Sequence, residues 1–550
     1  MKMRTLVGKI AAPLLLLISC STPKKVVQAP HDITPENLRS HITYLADDKL
    51  EGRRTGTPGE KLAMVYIGDQ FNKNGLQPKG DSGYYQAFEV YDGKSTTGSW
   101  MKMNGDSLLP DKDFFVFPYS ASIKMEAIPF IMVQEAAMPW FFDLKETLEE
   151  NSNNPHFDLN TYIRTNSKKA MDRGASAIIL YNSSKIDDKL VYDAKDRSEQ
   201  LQIPVLYIKN SIAEKYLKDP TGSVDLKFNT VIREKRRTGH NVAAYIDNGA
   251  TSTVILGAHF DHLGYGEDGG SRSTGHDPEI HNGADDNASG TAALIEIGRK
   301  LRSSTATGHN YLLIAFSGEE LGLFGSKYFV EHPTVDLRSV DYMINMDMVG
   351  RLNDSSKTLT IGGYGTSPAW GTVINTDYKN MHIRFDSSGT GPSDHTSFYQ
   401  KDIPVLFYFT GLHSDYHKPS DDADKINYNG EVLVIDHVMN VIETLDKQPK
   451  LVFTKTRETS VTRNTRMNVS MGIMPDYTFS GAGVRADGIS EGKPAQKAGL
   501  KAGDVIIQVG EFQITSMDSY MQMLGKFNKG ERAKVKFKRG NEILETTVEF

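Results

Sequence analysis

The chain has 550 residues, of which 39% are hydrophobic and 24% charged, with a formal net charge of −6. That length exceeds one ordinary hydrophobic core and predicts at least two domains, while the absence of a basic excess sets nucleic acid aside as a partner. A single cysteine excludes an internal disulfide framework and thiolate zinc sites, so any metal must be held by His, Asp and Glu.

At the amino terminus Lys2, Arg4 and Lys9 precede the apolar run Ala11 to Ile18, which is too short to span a bilayer and reads as a signal peptide. It ends Leu17-Ile18-Ser19-Cys20, which resembles the lipobox of bacterial lipoprotein precursors. The resemblance implies a signal over 1–19, a lipid on Cys20 and a tether over 20–30. It further implies a lipid-anchored protein of the bacterial cell envelope, on its periplasmic or surface face, that meets the membrane only through that lipid.

Residues 31–100 are expected to begin the main domain. Thr34 caps a helix that runs to Leu50 with Leu38, Ile42 and Leu45 on one face, and the glycine-rich stretch Leu50 to Gly59 is a loop. A second helix through Ala63, Ile67 and Phe71 ends at Asn74-Gly75, and Tyr84 to Val90 is a strand. Taken alone, none of these residues forms a chemical pattern.

Over 101–232 the pattern changes to short β-like runs between Asn, Asp and Ser clusters. Lys168 to Arg173 is expected to be helical, Ala177 to Tyr181 and Ile203 to Ile208 to be strands. This order resembles the protease-associated domain found inserted in several peptidase families, and it implies a β-rich scaffold or substrate-gating insert.

Residues 233–448 alternate apolar strands with helices: Asn241 to Ile246, Thr253 to Gly257, Tyr311 to Phe316, Asp341 to Met346 and Ile403 to Phe409, with helices over Ser289 to Leu301 and Glu431 to Leu445. Strands buried on both faces predict an α/β domain with a mostly parallel central sheet flanked by helices. The polar stretch 449–466 is a linker. Residues 467–550 form a further unit in which Ser470 to Ile473, Pro494 to Leu500 and Gly503 to Val509 resemble a small C-terminal PDZ-like β-domain. That implies a peptide or protein C-terminus as a partner, received as an added strand.

The chemical signal lies at the strand ends of the α/β domain. His259 and Asp261 follow one strand, Asp285 precedes a helix, Glu319 and Glu320 follow the next strand, Asp347 the one after, and His417 a later one. Strand carboxyl ends of such a sheet converge on one crevice. Two adjacent glutamates there cannot both be buried comfortably without a cation, and one as ligand with the other as base resolves the conflict.

Over about residues 34 to 445 the chain resembles the co-catalytic zinc peptidases that include bacterial leucyl aminopeptidases and the glutamate carboxypeptidase branch. The resemblance implies two Zn²⁺ ions: His259 and Asp347 on one, Glu320 and His417 on the other, and Asp285 bridging. It implies Glu319 as general base, Asp261 as the residue orienting His259, Asp286 in the bend that aims Asp285, and Tyr416 as a partner of the oxyanion. Ser393 to Phe398 resembles a further motif of the family, with Ser397 where proline is usual. His262, His276, His281, Tyr265, Arg272 and Arg384 receive no role, since surplus loop histidines and exposed charges are usually solvated.

The function implied is peptide-bond hydrolysis, with an aminopeptidase that releases N-terminal residues as the first reading. A carboxypeptidase or dipeptidase of the same family shares the metals and differs in how the charged terminus of the substrate is held. Glutaminyl cyclase, a single-zinc relative, fits less well with both ligand sets present. A non-catalytic adaptor bearing a PDZ-like domain is the reading from another class, and an intact Glu319 argues against it.

Overall fold

A computed structural model describes residues 1, 32–152, 154, 157–273, 277–374, 376–456, 469–475, 482–489, 493–515 and 517–550. The readings of residues 2–31, Cys20 included, of His276 and of most of the linker fall outside these residues. Among the described residues no helix is long and apolar enough to cross a membrane.

Nine strands form the central sheet. Its middle is parallel: the strand Thr253–His259 lies between Asn310–Phe316 and Val340–Met346, and the latter pairs with Val405–Phe409. The flanks are antiparallel, so the sheet is mixed rather than parallel throughout. Every residue of the strands Thr253–His259, Asn310–Phe316 and Val340–Met346 is buried, as expected of strands covered on both faces.

The helices Pro35–Leu45, Pro58–Lys73, Gly290–Ser303 and Tyr428–Leu445 pack one face through Leu38, Phe71, Leu294, Ile297 and Val438. Phe329 and Phe398, from the short helices Phe324–Glu331 and His395–Tyr399, cover the other. Layers of helix, sheet and helix therefore hold the strand ends rigidly, which is what a multi-strand site requires.

The first helix starts where its cap dictates, with the Thr34 hydroxyl accepting from the Asn37 N–H and Pro35 in the first turn. It stops at Leu45, and a 3₁₀ segment, Asp48–Arg53, follows with Glu51, Gly52 and Arg53 at positive φ. The helix Leu159–Asp172 begins nine residues before the expected 168–173, where the Asp158 carboxylate caps it by accepting from the Thr161 N–H.

Between the long antiparallel strands Tyr85–Ser95 and Arg233–Ile246 the chain makes two four-stranded sheets. Met101, Phe114, Ile179, Leu206 and Phe228 from both sheets share one core. The helix Leu159–Asp172 closes the outer face of the second sheet through Ile163 and Ala170. The carboxyl-terminal unit is a separate β-rich body around Met471, Ile506, Val535, Phe537 and Val548.

Candidate metal centre

The site lies at the carboxyl ends of the parallel strands. His259 is the last residue of one strand, Glu319 and Glu320 follow the next within four residues, and Asp347 directly follows the third. A long loop after Val405–Phe409 returns His417 at φ 57. The fifth contribution comes from the bend between Gly283 and the helix Gly290–Ser303.

In that bend it is Asp286, not Asp285, that faces the other candidates. Asp286 Oδ1 lies 3.3 Å from His259 Nε2, and its Oδ2 lies 3.2 Å from His417 Nε2. His259 Nε2 is also 3.4 Å from Asp347 Oδ1, and His417 Nε2 is 3.2 Å from Glu320 Oε2. Two groups with ligand atoms within 4.8 Å of one another result, His259/Asp286/Asp347 and His262/Asp286/Glu320, and Asp286 is common to both.

The expectation for Asp285 is thereby corrected. Its backbone N–H and that of Asp286 both donate to Asp421 Oδ2, at 3.0 and 3.1 Å, which pins the bend. The Asp285 carboxylate then turns away from the imidazoles and accepts from the Gly350 N–H at 2.7 Å and the Ser289 hydroxyl at 3.0 Å, with His413 Nε2 at 3.2 Å. Neighbouring residues of a bend point in different directions, and composition gives no hint of which one faces inward.

His262 is the second departure. It is buried, and its Nδ1 lies 2.8 Å from Glu320 Oε1, so it orients a carboxylate of the cluster instead of standing in solvent. His281 is buried as well, but it ties its own loop through Ser271 Oγ at 2.7 Å and the Glu279 carbonyl at 3.0 Å. Arg384 is exposed. The Arg272 N–H donates to the His417 carbonyl at 2.9 Å, and its guanidinium lies 5.7 Å from the Tyr416 ring centre. Tyr416 stacks on His417 with ring centres 3.9 Å apart.

Asp261 is buried beside His259, yet its carboxylate lies 3.7 Å from His259 Nδ1, and that nitrogen bonds the Asp261 carbonyl at 3.2 Å. The carboxylate oxygens instead accept from the Glu319 N–H at 3.1 Å and the Thr55 hydroxyl at 2.9 Å. Asp261 thus orients His259 through its backbone and Glu319 through its side chain. His417 Nδ1 meets the Gly270 carbonyl at 2.9 Å, which presents Nε2 to Asp286 and Glu320.

Charge tells the same story as distance. Burial alone would lower the His259 and His417 pKa values, but Asp347, Glu319 and Asp286 raise that of His259 well above the ordinary value, and Glu320 and Asp286 raise that of His417 to about 11. Burial pushes the Glu319 carboxyl far up, with Glu320, Asp347 and Asp394 adding to the effect against His259. Asp394 is held at about 7, again chiefly by burial. So dense a set of carboxylates demands positive charge in their midst.

A divalent cation fits that demand. His259 Nε2 and Asp347 Oδ1 are buried 3.4 Å apart and make no hydrogen bond, an arrangement suited to two donors sharing a cation. The donor set is imidazole and carboxylate without sulfur, as zinc accepts at catalytic sites.

Residues 241–442 match the family model described as peptidase family M28, and residues 454–550 that of a PDZ domain. The stretch 241–442 is thus similar to the M28 peptidases. All the clustered residues from His259 to His417 lie within it. The chain is 28% identical over 274 residues to aminopeptidase YwaD of Bacillus subtilis, covering 47% of this chain and 55% of that one. It is 25% identical over 294 residues to the probable lipoprotein aminopeptidase LpqL of Mycobacterium tuberculosis, covering 49% of this chain and 54% of that one. The chain thus spans about half the length of these relatives. Among solved structures, the zinc aminopeptidase BSAP from Bacillus subtilis aligns with a TM-score of 0.42 and 20% identity, over 76% of this chain and 98% of that one.

Proposed function

We propose that the protein is a di-zinc aminopeptidase of the bacterial cell envelope that releases N-terminal residues from peptides. The observation that carries the reading is the sharing of Asp286 between two ligand groups, with Glu319 Oε2 4.0 Å from His259 Nε2 at their edge. His259 and Asp347 would hold one ion, Glu320 and His417 the other, and Asp286 would bridge them, with His262 orienting Glu320. When bound, two zinc ions polarise the scissile carbonyl and lower the pKa of water toward about 7.

The chain's own residues supply the rest. Glu319 accepts a proton from the attacking water and returns it to the leaving amine, and its burial beside Glu320, Asp347 and Asp394 raises its affinity for that proton. Asp261 holds the Glu319 backbone in place for this transfer. Tyr416, which stacks on His417, is assigned as the partner of the tetrahedral oxyanion.

We assign 101–232 as a protease-associated insert, 233–448 as the part of the peptidase that bears the metal site, and 449–466 as linker. The carboxyl-terminal PDZ domain receives a peptide or a protein C-terminus. Cys20 as lipid attachment point is supported by its lipobox-like context and by the name of the mycobacterial relative.

The test is zinc content together with hydrolysis of aminoacyl peptides and their amino-terminally blocked counterparts. Two zinc ions per chain and cleavage of free amino termini only are expected. Equal cleavage of blocked peptides would move the assignment to the carboxypeptidase branch, and a zinc-loaded chain that cleaves neither would favour an adaptor.

A further inference from the structure

The loop Leu50 to Gly59 has no metal-binding pattern, yet it holds two ligand-bearing segments directly, those of His259 and Asp286, and reaches Glu319 through Asp261. Arg53 is fully buried, at φ 48. Its Nε donates to the Phe260 carbonyl at 2.7 Å, in the middle of His259 to Asp261. Nη1 donates to the Asn282 carbonyl at 2.6 Å and also to that of Leu45, and Nη2 donates to the Gly283 carbonyl at 2.9 Å, directly before the Asp285–Asp286 bend. The Arg53 carbonyl in turn accepts from the His262 N–H at 3.3 Å.

Thr55 completes the arrangement. Its buried hydroxyl donates to Asp261 Oδ2 at 2.9 Å, and Asp261 Oδ1 accepts from the Glu319 N–H at 3.1 Å. The preceding Gly52 is there because nothing larger fits: at φ 65, a Cβ would stand 2.5 Å from the His281 carbonyl oxygen. A planar guanidinium with five donors in a fixed fork serves four carbonyls here, one more than the three donors of an ammonium could. Burial lowers the Arg53 pKa to about 10, still a cation at neutral pH, and Asp261, Asp286, Asp421 and Glu320 favour its charge.

We infer that Arg53 and Thr55 are positioning residues of the metal centre: Arg53 fixes the spacing between the His259 loop and the Asp286 bend, and Thr55 fixes Asp261 and through it Glu319. The inference rests on the zinc-peptidase reading above. Residues that orient metal ligands from behind typically change metal affinity by about 10–100-fold when replaced.

Two substitutions in the full-length chain test it. Thr55→Val keeps the shape and removes one donor; Arg53→Lys keeps the charge and loses the fork. Zinc affinity is read by competition with a chromophoric chelator, alongside kcat, KM and the melting temperature of the metal-free protein. Thr55→Val is expected to weaken zinc about 10-fold and to lower kcat with KM unchanged, while the metal-free melting temperature stays near wild type. Arg53→Lys is expected to weaken zinc by up to about 100-fold, with activity recovering in excess zinc. A purely structural role would lower the metal-free melting temperature and leave zinc affinity and kcat of the folded protein alone. Wild-type zinc affinity and kcat in both folded variants overturn the inference, and if Arg53→Lys does not fold, the same result in Thr55→Val suffices. A wild-type chain that takes up no zinc overturns the zinc reading, and the inference with it.

Discussion

The pair Asp286→Asn and Asp285→Asn separates two adjacent carboxylates by role. Asp286 lies between His259 and His417, at 3.3 and 3.2 Å, so removing its charge affects both proposed ion positions. A unit charge at about 4 Å in surroundings of effective dielectric near 20 contributes about 4 kcal/mol, or about 10³-fold in affinity for each ion. Asp285→Asn is isosteric. Its remaining carbonyl oxygen still accepts from the Gly350 N–H and the Ser289 hydroxyl, and its new amide faces His413 Nε2, so a loss of about 1 kcal/mol is expected. Zinc bound per chain after dialysis at fixed free zinc, with kcat/KM on an aminoacyl substrate, reads the contrast. Asp286→Asn should lose bound zinc and activity by about 10³-fold or more, and Asp285→Asn should keep both within about 10-fold. The reverse order would refute the assignment of the bridge to Asp286.

Glu319→Gln is expected to lower kcat by about 10²–10⁴-fold while zinc content stays at the wild-type level, and a variant that retains full kcat would remove Glu319 as the base. Chelation of zinc held at about 1,000 times its dissociation constant should destabilise the peptidase domain by about 4 kcal/mol, a fall of roughly 10 °C in melting temperature by calorimetry. An unchanged transition would count against a metal in the fold. In the metal-free protein, Glu296 provides a pH test: burial would raise its pKa, but His41, Arg299 and Asn37 hold it down to about 2 against 4.5 for the free residue. A depressed carboxylate stabilises the fold above pH 4.5 and loses that contribution as pH falls toward 2. Glu296→Gln should therefore cost up to about 3 kcal/mol in urea unfolding at pH 7 and much less near pH 2, and an equal deficit at both pH values would contradict this.

Much of the centre is legible in the sequence because strand ends are legible. The continuously apolar runs before His259, Glu319 and Asp347 mark buried parallel strands, and those strands deliver whatever follows them to one edge of the sheet. His417 is legible less directly, since a loop without periodicity separates it from its strand. The insert is legible as a change of texture, though its helix Leu159–Asp172 begins nine residues before the expected 168.

Sequence alone therefore decided the residue types, their positions at strand ends along the chain, and the absence of thiolate ligands. Tertiary structure decided direction. Whether Asp285 or Asp286 faces the imidazoles depends on Asp421, 135 residues downstream of Asp286, which holds both backbone N–H groups. Whether His262 is solvated or buried depends on Glu320, and whether Arg53 is a surface charge or a buried clamp depends on carbonyls up to 230 residues away. The reason is physical: a strand's direction follows from a local pattern of burial, but a side chain in a bend points wherever distant hydrogen-bond partners satisfy its backbone, and those partners meet only once the chain has folded.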